Sequence, residues 1–251
     1  GVTYRVEERW DGESYLSVTT YEQDGVLYTE TIHRDPEGWT EEHRAQTGDV
    51  VAITSTTCTY VEGDFEDYYD GNMPVQAADG ERGQTRELVT TMTVSEPDGQ
   101  GGTVTTELGR ATTYVQQIDS VEPGGLLRGG ANPVPVLVNE ETGPLNEEAS
   151  GQFVSVTTME SQGQTTVTVG AENRAVWISA DGTPRSIRIS LFETQDGEGQ
   201  PLFTTRTDDV RGFPSLTWFM AETNLGGEGM PNLMGEIGEP ADYRSTSVQD
   251  E

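Results

Sequence analysis

In RSIRISLF, residues 185–192, apolar Ile187, Ile189 and Leu191 alternate with Arg188 and Ser190. An alternation of period two sends successive side chains to opposite faces of a pleated strand, whereas a helix would scatter them around its axis. The same rhythm recurs in VTYRVEERW, YLSVTTYE, VLYTETIH, DVVAITSTTCTYV, ELVTTMTVSE, GTVTTELGRATTYVQQI, TTVTVG, RAVWIS and PLFTTRT. Thr, Val and Tyr dominate these runs, and their branched or aromatic side chains suit a pleated, half-buried surface. Turn signals separate the runs: WDGES, EQDG, DPEG, EPDGQGG, ADGT and QDGEG. The pattern predicts an all-β protein, an antiparallel meander forming a β-sandwich or strongly curved sheet with little helix.

Three segments break the rhythm. Residues 61–84 are acidic and aromatic, and residues 119–151 are rich in Pro and Gly around the apolar VPVLV. The third, 224–251, is a Gly/Met/Pro stretch followed by a polar tail, and SLTWFMAET before it is the best candidate for a short helix. These breaks suggest a first β half over 1–84, a second over 85–223 and a C-terminal tail. A polar terminus frays unless tied down, so an ordered tail would dock on the body or on a neighbouring subunit.

An internal echo raises the possibility of duplication. YLSVTTYEQDG (15–25) and FVSVTTMESQG (153–163) share six of eleven residues at an offset of 138, and Trp39 and Trp177 lie at the same offset. The faces agree in register, with Tyr15/Phe153 and Tyr21/Met159 on one side and Leu16/Val154 and Val18/Val156 on the other. Residues 26–38 and 164–176 share no identity, so the echo predicts two hairpins of one class rather than a shared site.

Charge narrows the solvent and the partners. The chain of 251 residues carries 44 acidic and 14 basic residues, a net charge of -30, and every basic residue is Arg. Treated as a charged sphere of radius roughly 20 Å, the compact chain has a self-repulsion on the order of 20 kcal/mol at physiological salt, and less than half of that at 1 M. Domain stability is about 5–15 kcal/mol, so this composition suits brine and points to a salt-adapted source. Nucleic acid and anionic membrane surfaces call for basic stripes and are unfavourable partners. No apolar run is long enough for a transmembrane helix. Gly1 is compatible with initiator-Met removal, signal cleavage or a preceding lipid-anchored Cys.

Little of the chain suggests covalent chemistry. Cys58, the single cysteine, shares a strand face with Val50, Ala52 and Tyr60 and is expected to be a small buried hydrophobe. His33 and His43 lie on flanking strands beside Arg34 and Arg44, which would lower their basicity, and no nucleophile turn accompanies them. No zinc spacing, P-loop or dinucleotide fingerprint occurs, so no cofactor is expected. A calcium ion is the exception, held by Asp64, Glu66, Asp67 and Asp70 in EGDFEDYYDGN, because a hard cation takes several carboxylates on one loop. Tyr68 and Tyr69, with Trp218, Phe219 and Met220, are large side chains in irregular surroundings. They either plug the ends of the sheet or, if exposed together, mark a contact surface.

The cadence YEQDGVLYTE…DPEGW followed by AVWISADGTPRSIRISLFE resembles the exported lipoprotein-carrier class, the LolA- and LppX-like half-barrels. That resemblance covers about a third of the chain and implies an antiparallel meander wrapped around a lipid-binding cavity. This sequence departs from the type by opening directly on a strand, and many of its inward-facing candidates are Thr. The leading expectation is a non-enzymatic structural or interaction protein of a salt-adapted organism or its virus. It would serve at the cell surface, in an extracellular filament or in a virion, with protein partners and self-assembly. The alternatives are a lipid or lipoprotein carrier and a secreted carbohydrate-active hydrolase.

Overall fold

A computed structural model of the chain describes residues 2–74, 77, 80–119, 121–122, 126–127, 146–178, 182–211 and 243–249. The first strands are β1 Tyr4–Trp10, β2 Tyr15–Gln23, β3 Val26–Asp35, β4 Gly38–Thr47 and β5 Val50–Tyr60. Next come β6 Glu81–Arg82, β7 Arg86–Pro97, β8 Thr103–Asp119, β9 Val121–Glu122 and β10 Leu126–Leu127. The last are β11 Gly151–Ser161, β12 Gln164–Ile178, β13 Pro184–Asp196, β14 Pro201–Arg211 and β15 Tyr243–Gln249. Helix among the described residues is limited to two single 3-10 turns, Phe65–Asp67 and Glu147–Ala149. The helix candidate SLTWFMAET lies outside the described residues.

The fold is an all-β meander. Thirteen strands form one sheet in the order β1-β2-β3-β4-β5-β7-β8-β11-β12-β13-β14-β15, with β6 added against β8, and the path does not close. The short pair β9–β10 stands apart. Among the registers of the described residues, β15, from the polar tail, runs parallel to β14, with Thr205 opposite Tyr243 and Arg211 opposite Gln249. A parallel neighbour cannot follow a tight turn, and here a long stretch of chain separates the two strands.

Acidic turn residues set the hairpins. Asp11 Oδ1 accepts the amides of Glu13 and Ser14 at 3.1 and 2.8 Å, and Asp35 Oδ1 those of Glu37 and Gly38 at 2.9 Å each. Asp98 and Asp196 do the same for Gln100/Gly102 and Glu198/Gln200. Such Asx turns let the side chain imitate the backbone of a turn, so part of the chain's negative charge has local structural work. The two echo segments end in the same turn. Asp24 and Gly25 have φ of 52° and 79°, and Gln162 and Gly163 have 51° and 77°. Positive φ at both central residues is the type I′ geometry that matches strand twist, which is why Gly occupies the second place in each.

The chain divides into two compact units that interleave along the sequence. The first takes residues 1–62, 85–114 and 157–166, and the second takes 63–84, 115–156 and 167–251. They therefore do not follow the halves 1–84 and 85–223. Strands β8, β11 and β12 each contribute a stretch to both.

In the first unit, successive residues of β2, β3 and β4 are nearly all half-exposed on both faces, and every residue of β1 is exposed. Cross-strand pairs carry this sheet: Thr56 with Thr90 at 2.9 Å, Thr113 with Thr157 at 2.8 Å, and the stacked rings of Tyr21 and Tyr28 at 4.9 Å. Buried Cys58 lies opposite Trp39 and Leu88, and burial pushes its thiol pKa up. The second unit has a dense core of Phe65, Ile118, Val154, Val156, Val169, Ala171, Ala175, Trp177 and Leu191. On β12 the buried Val169, Ala171, Asn173, Ala175 and Trp177 alternate with half-exposed Glu172, Arg174 and Val176, so one face is packed and the other open.

Candidate functional site

Three of the loop carboxylates expected to hold calcium, Asp64, Glu66 and Asp67, have protein partners. Arg82 donates to Glu66 at 2.6 and 2.8 Å, which holds the Glu66 carboxyl below its ordinary range. Asp64 accepts from Gln116 Nε2 at 3.0 Å, and Asp67 Oδ2 accepts the Asp64 amide at 2.9 Å, closing a capping box on the 3-10 turn. No group of three or more potential ligands, Asp70 included, comes together among the described residues.

Phe65 within this loop is buried, and Tyr69 packs on it at 6.2 Å while donating to the Asn72 carbonyl at 3.3 Å. Tyr68 and Tyr69 are both half-buried. Trp218, Phe219 and Met220 lie outside the described residues. His33 pairs in register with Thr40, and His43 with Glu30, which puts the two imidazoles on opposite faces of the sheet. Their nearest charged contacts are carboxylates, Asp35 for His33 and Glu30 and Glu41 for His43.

The aromatic surface lies elsewhere. Across the first unit the register puts Tyr4 opposite Tyr21, Tyr21 opposite Tyr28, Trp10 opposite Tyr15, Tyr15 opposite Arg34 and Arg34 opposite Trp39. Tyr60 falls on the same side of β5 as Cys58, the partner of Trp39. Tyr4, Trp10, Tyr15, Tyr21, Tyr28, Trp39 and Tyr60 thus share one face, while the other carries Arg5, Glu7, Arg9, Thr29, Thr31 and Glu42. Trp10 is 66 % exposed and Tyr4 60 %. An open depression of about 670 Å³ lies on the aromatic face, lined by Trp10, Glu13, Tyr15, Ile32, Arg34, Asp35 and Pro36. Tyr15 Oη donates to Glu8 at 2.6 Å, which fixes its ring.

The second unit carries a different surface on its open face. Arg174 bonds Glu172 and stacks on Phe153 with its guanidinium carbon 4.8 Å from the ring centre. Arg188 reaches Glu172 at 3.6 Å and Asp209 at 3.1 Å, and Arg211 holds Asp209 through Nε at 3.0 Å and Nη2 at 2.9 Å. Together with Val176, Pro184, Arg185 and Ser186, the three arginines and Asp209 line a cavity of about 370 Å³. Both surfaces escaped the sequence reading, because each is assembled from cross-strand neighbours.

Among the described residues no helix is long and apolar enough to cross a membrane. No protein-family model, curated protein or solved structure matches the chain.

Proposed function

We propose that the protein is a non-enzymatic structural or interaction component of a salt-adapted organism or its virus. It works by offering the open sheet of its first unit to protein partners, further copies of itself among them. The observation that carries this reading is β1. It ends the sheet path, all seven of its residues are exposed, and it presents Tyr4, Val6 and Trp10 on the aromatic face. A terminal strand offers unpaired backbone donors and acceptors, and an incoming strand satisfies them while burying side chains on alternate sides.

Charge sets the conditions. Copies of a chain of net charge -30 repel one another in dilute buffer, and at multimolar salt the Debye length falls below about 3 Å. Contact through rings and backbone is then favourable, since aromatic residues dominate productive interfaces and charged ones are depleted at their centres. A role at the cell surface, in an extracellular filament or in a virion fits this reading, since brine would bathe the protein directly there.

The test is the mass of the particle in about 2 M NaCl, measured by light scattering for the parent and for Val6→Lys combined with Trp10→Ala. The parent is expected to form particles heavier than the 27.3 kDa chain, and the double variant to shift toward it. A parent that stays strictly monomeric at every concentration overturns the reading.

A further inference from the structure

We propose that the open face of the second unit binds a small oxyanion, a carboxylate or phosphate group, between Arg174, Arg188 and Arg211. Composition makes this place unusual. Acidic residues outnumber basic ones 44 to 14 in the chain, yet here, among the described residues, the guanidinium groups of Arg174, Arg188 and Arg211 gather on Glu172 and Asp209.

Depth separates the two signs. The side chains of Glu172 and Asp209 are 15 % and 7 % exposed, whereas those of Arg174, Arg188 and Arg211 are 36 %, 38 % and 53 % exposed. The carboxylates form a floor and the guanidinium groups a rim, so an approaching solute meets positive charge first. The rim is also held in place. Arg188 is braced between both carboxylates, Arg211 grips Asp209 through two nitrogens, and Arg174 lies on the Phe153 ring. Donors already ordered by the protein lose little further freedom when they bind, which favours affinity.

Each guanidinium carries five N–H donors in a planar fork matched to the paired oxygens of carboxylate or phosphate. The contacts just described, among the described residues, run through Nε and Nη2, leaving N–H donors at the rim for a further acceptor. The cavity of about 370 Å³ is of the size small-molecule sites occupy. This site is separate in its residues and its chemistry from the aromatic face of β1–β4, and its fate does not depend on assembly.

The experiment is an NMR titration of arginine Nε–H signals in high NaCl with inorganic phosphate and, separately, with citrate. Saturable shifts at Arg188 and Arg211 are expected with at least one of the two, and which one saturates identifies the oxyanion. Arg211→Gln should weaken binding about tenfold or more, while Arg5→Gln, on the first unit, should leave it unchanged. Arg188→Gln and Arg211→Gln each strip a partner from the nearly buried Asp209, so Arg174→Gln, whose partner Glu172 keeps Arg188, should weaken binding likewise and keeps the test valid if either of them fails to fold. Shifts that never saturate, equal affinity in Arg211→Gln, or equal weakening in Arg5→Gln would overturn the proposal.

Discussion

Hairpins YLSVTTYEQDG and FVSVTTMESQG are one local object in two surroundings. Both close on a type I′ turn, with φ of 52° and 79° in the first and 51° and 77° in the second. Yet Leu16 and Val18 are half-exposed, while their counterparts Val154 and Val156 are 1 % and 5 % exposed. Trp39 and Trp177, at the same offset, differ in the same way: the first is half-exposed and the second 1 % exposed. Strand grammar therefore builds the hairpin, and burial decides how much each side chain contributes. The first unit is held by cross-strand pairs and turn carboxylates, the second by a packed face.

Salt should separate the two units most strongly. The compact chain's self-repulsion falls by an amount on the order of 10 kcal/mol between dilute and molar salt. The first unit has little buried apolar surface to set against it. Hydrogen exchange in dilute buffer should show β2–β5 opening well before the strands around Trp177, with both regions protected in about 2 M NaCl. A melting temperature that stays flat across that range would refute salt adaptation. Next in size, Trp177→Ala should cost about 3–5 kcal/mol by denaturant unfolding, and Trp39→Ala roughly 1 kcal/mol. Equal losses would erase the distinction between the units.

The valine pair gives a finer version of that comparison. Val156→Ala should cost about 2 kcal/mol and Val18→Ala less than about 1 kcal/mol, read from the same unfolding curves. The turns should instead behave alike. Gly25→Ala and Gly163→Ala each force a side chain into positive φ and should cost about 1 kcal/mol, equally in both settings. A marked difference between them would mean that the hairpins are not locally equivalent.

The smallest effect concerns acid. Two amides and the Ser14 hydroxyl hold the Asp11 carboxyl at a pKa of about 2, and Asp98 is lowered by amides in the same way. A folded value below the unfolded one means the stabilisation is complete above roughly pH 4 and disappears as pH falls through the folded value. The parent's advantage over Asp11→Asn should therefore be largest near neutrality and gone by about pH 2. An advantage that persists undiminished at that pH would contradict the assignment.

Much of the fold was legible because it is local. Period-two runs and Asp/Gly turn signals mark β2 to β5, and two-residue loops at 24–25, 36–37 and 48–49 join them without a shift of register. That parity is enough to put Tyr15, Tyr21, Tyr28 and Trp39 on one face, so the aromatic surface had a signal in the sequence: count through the turns. The parallel strand β15 had none, since its partner is fixed by long-range pairing and its sequence, YRSTSVQ, looks like a polar tail. The arginine rim is equally non-local. Arg188 enters the sequence pattern only as the polar alternate of Ile187 and Ile189, and its carboxylate partners stand on β12 and β14. In the acidic loop, adjacency in sequence said nothing of partners, and Glu66, Asp64 and Asp67 are engaged by Arg82, Gln116 and the backbone.

If the open sheet of the first unit is a surface for pairing, the backbone of β1 must carry the mark of a partner strand. In about 2 M NaCl, the β1 amides that do not face β2 should be protected from hydrogen exchange at high protein concentration. They should lose protection on dilution or in Val6→Lys. If those amides exchange at unprotected rates at every concentration, while β2 and β3 remain protected, the edge has no partner strand and the account is wrong.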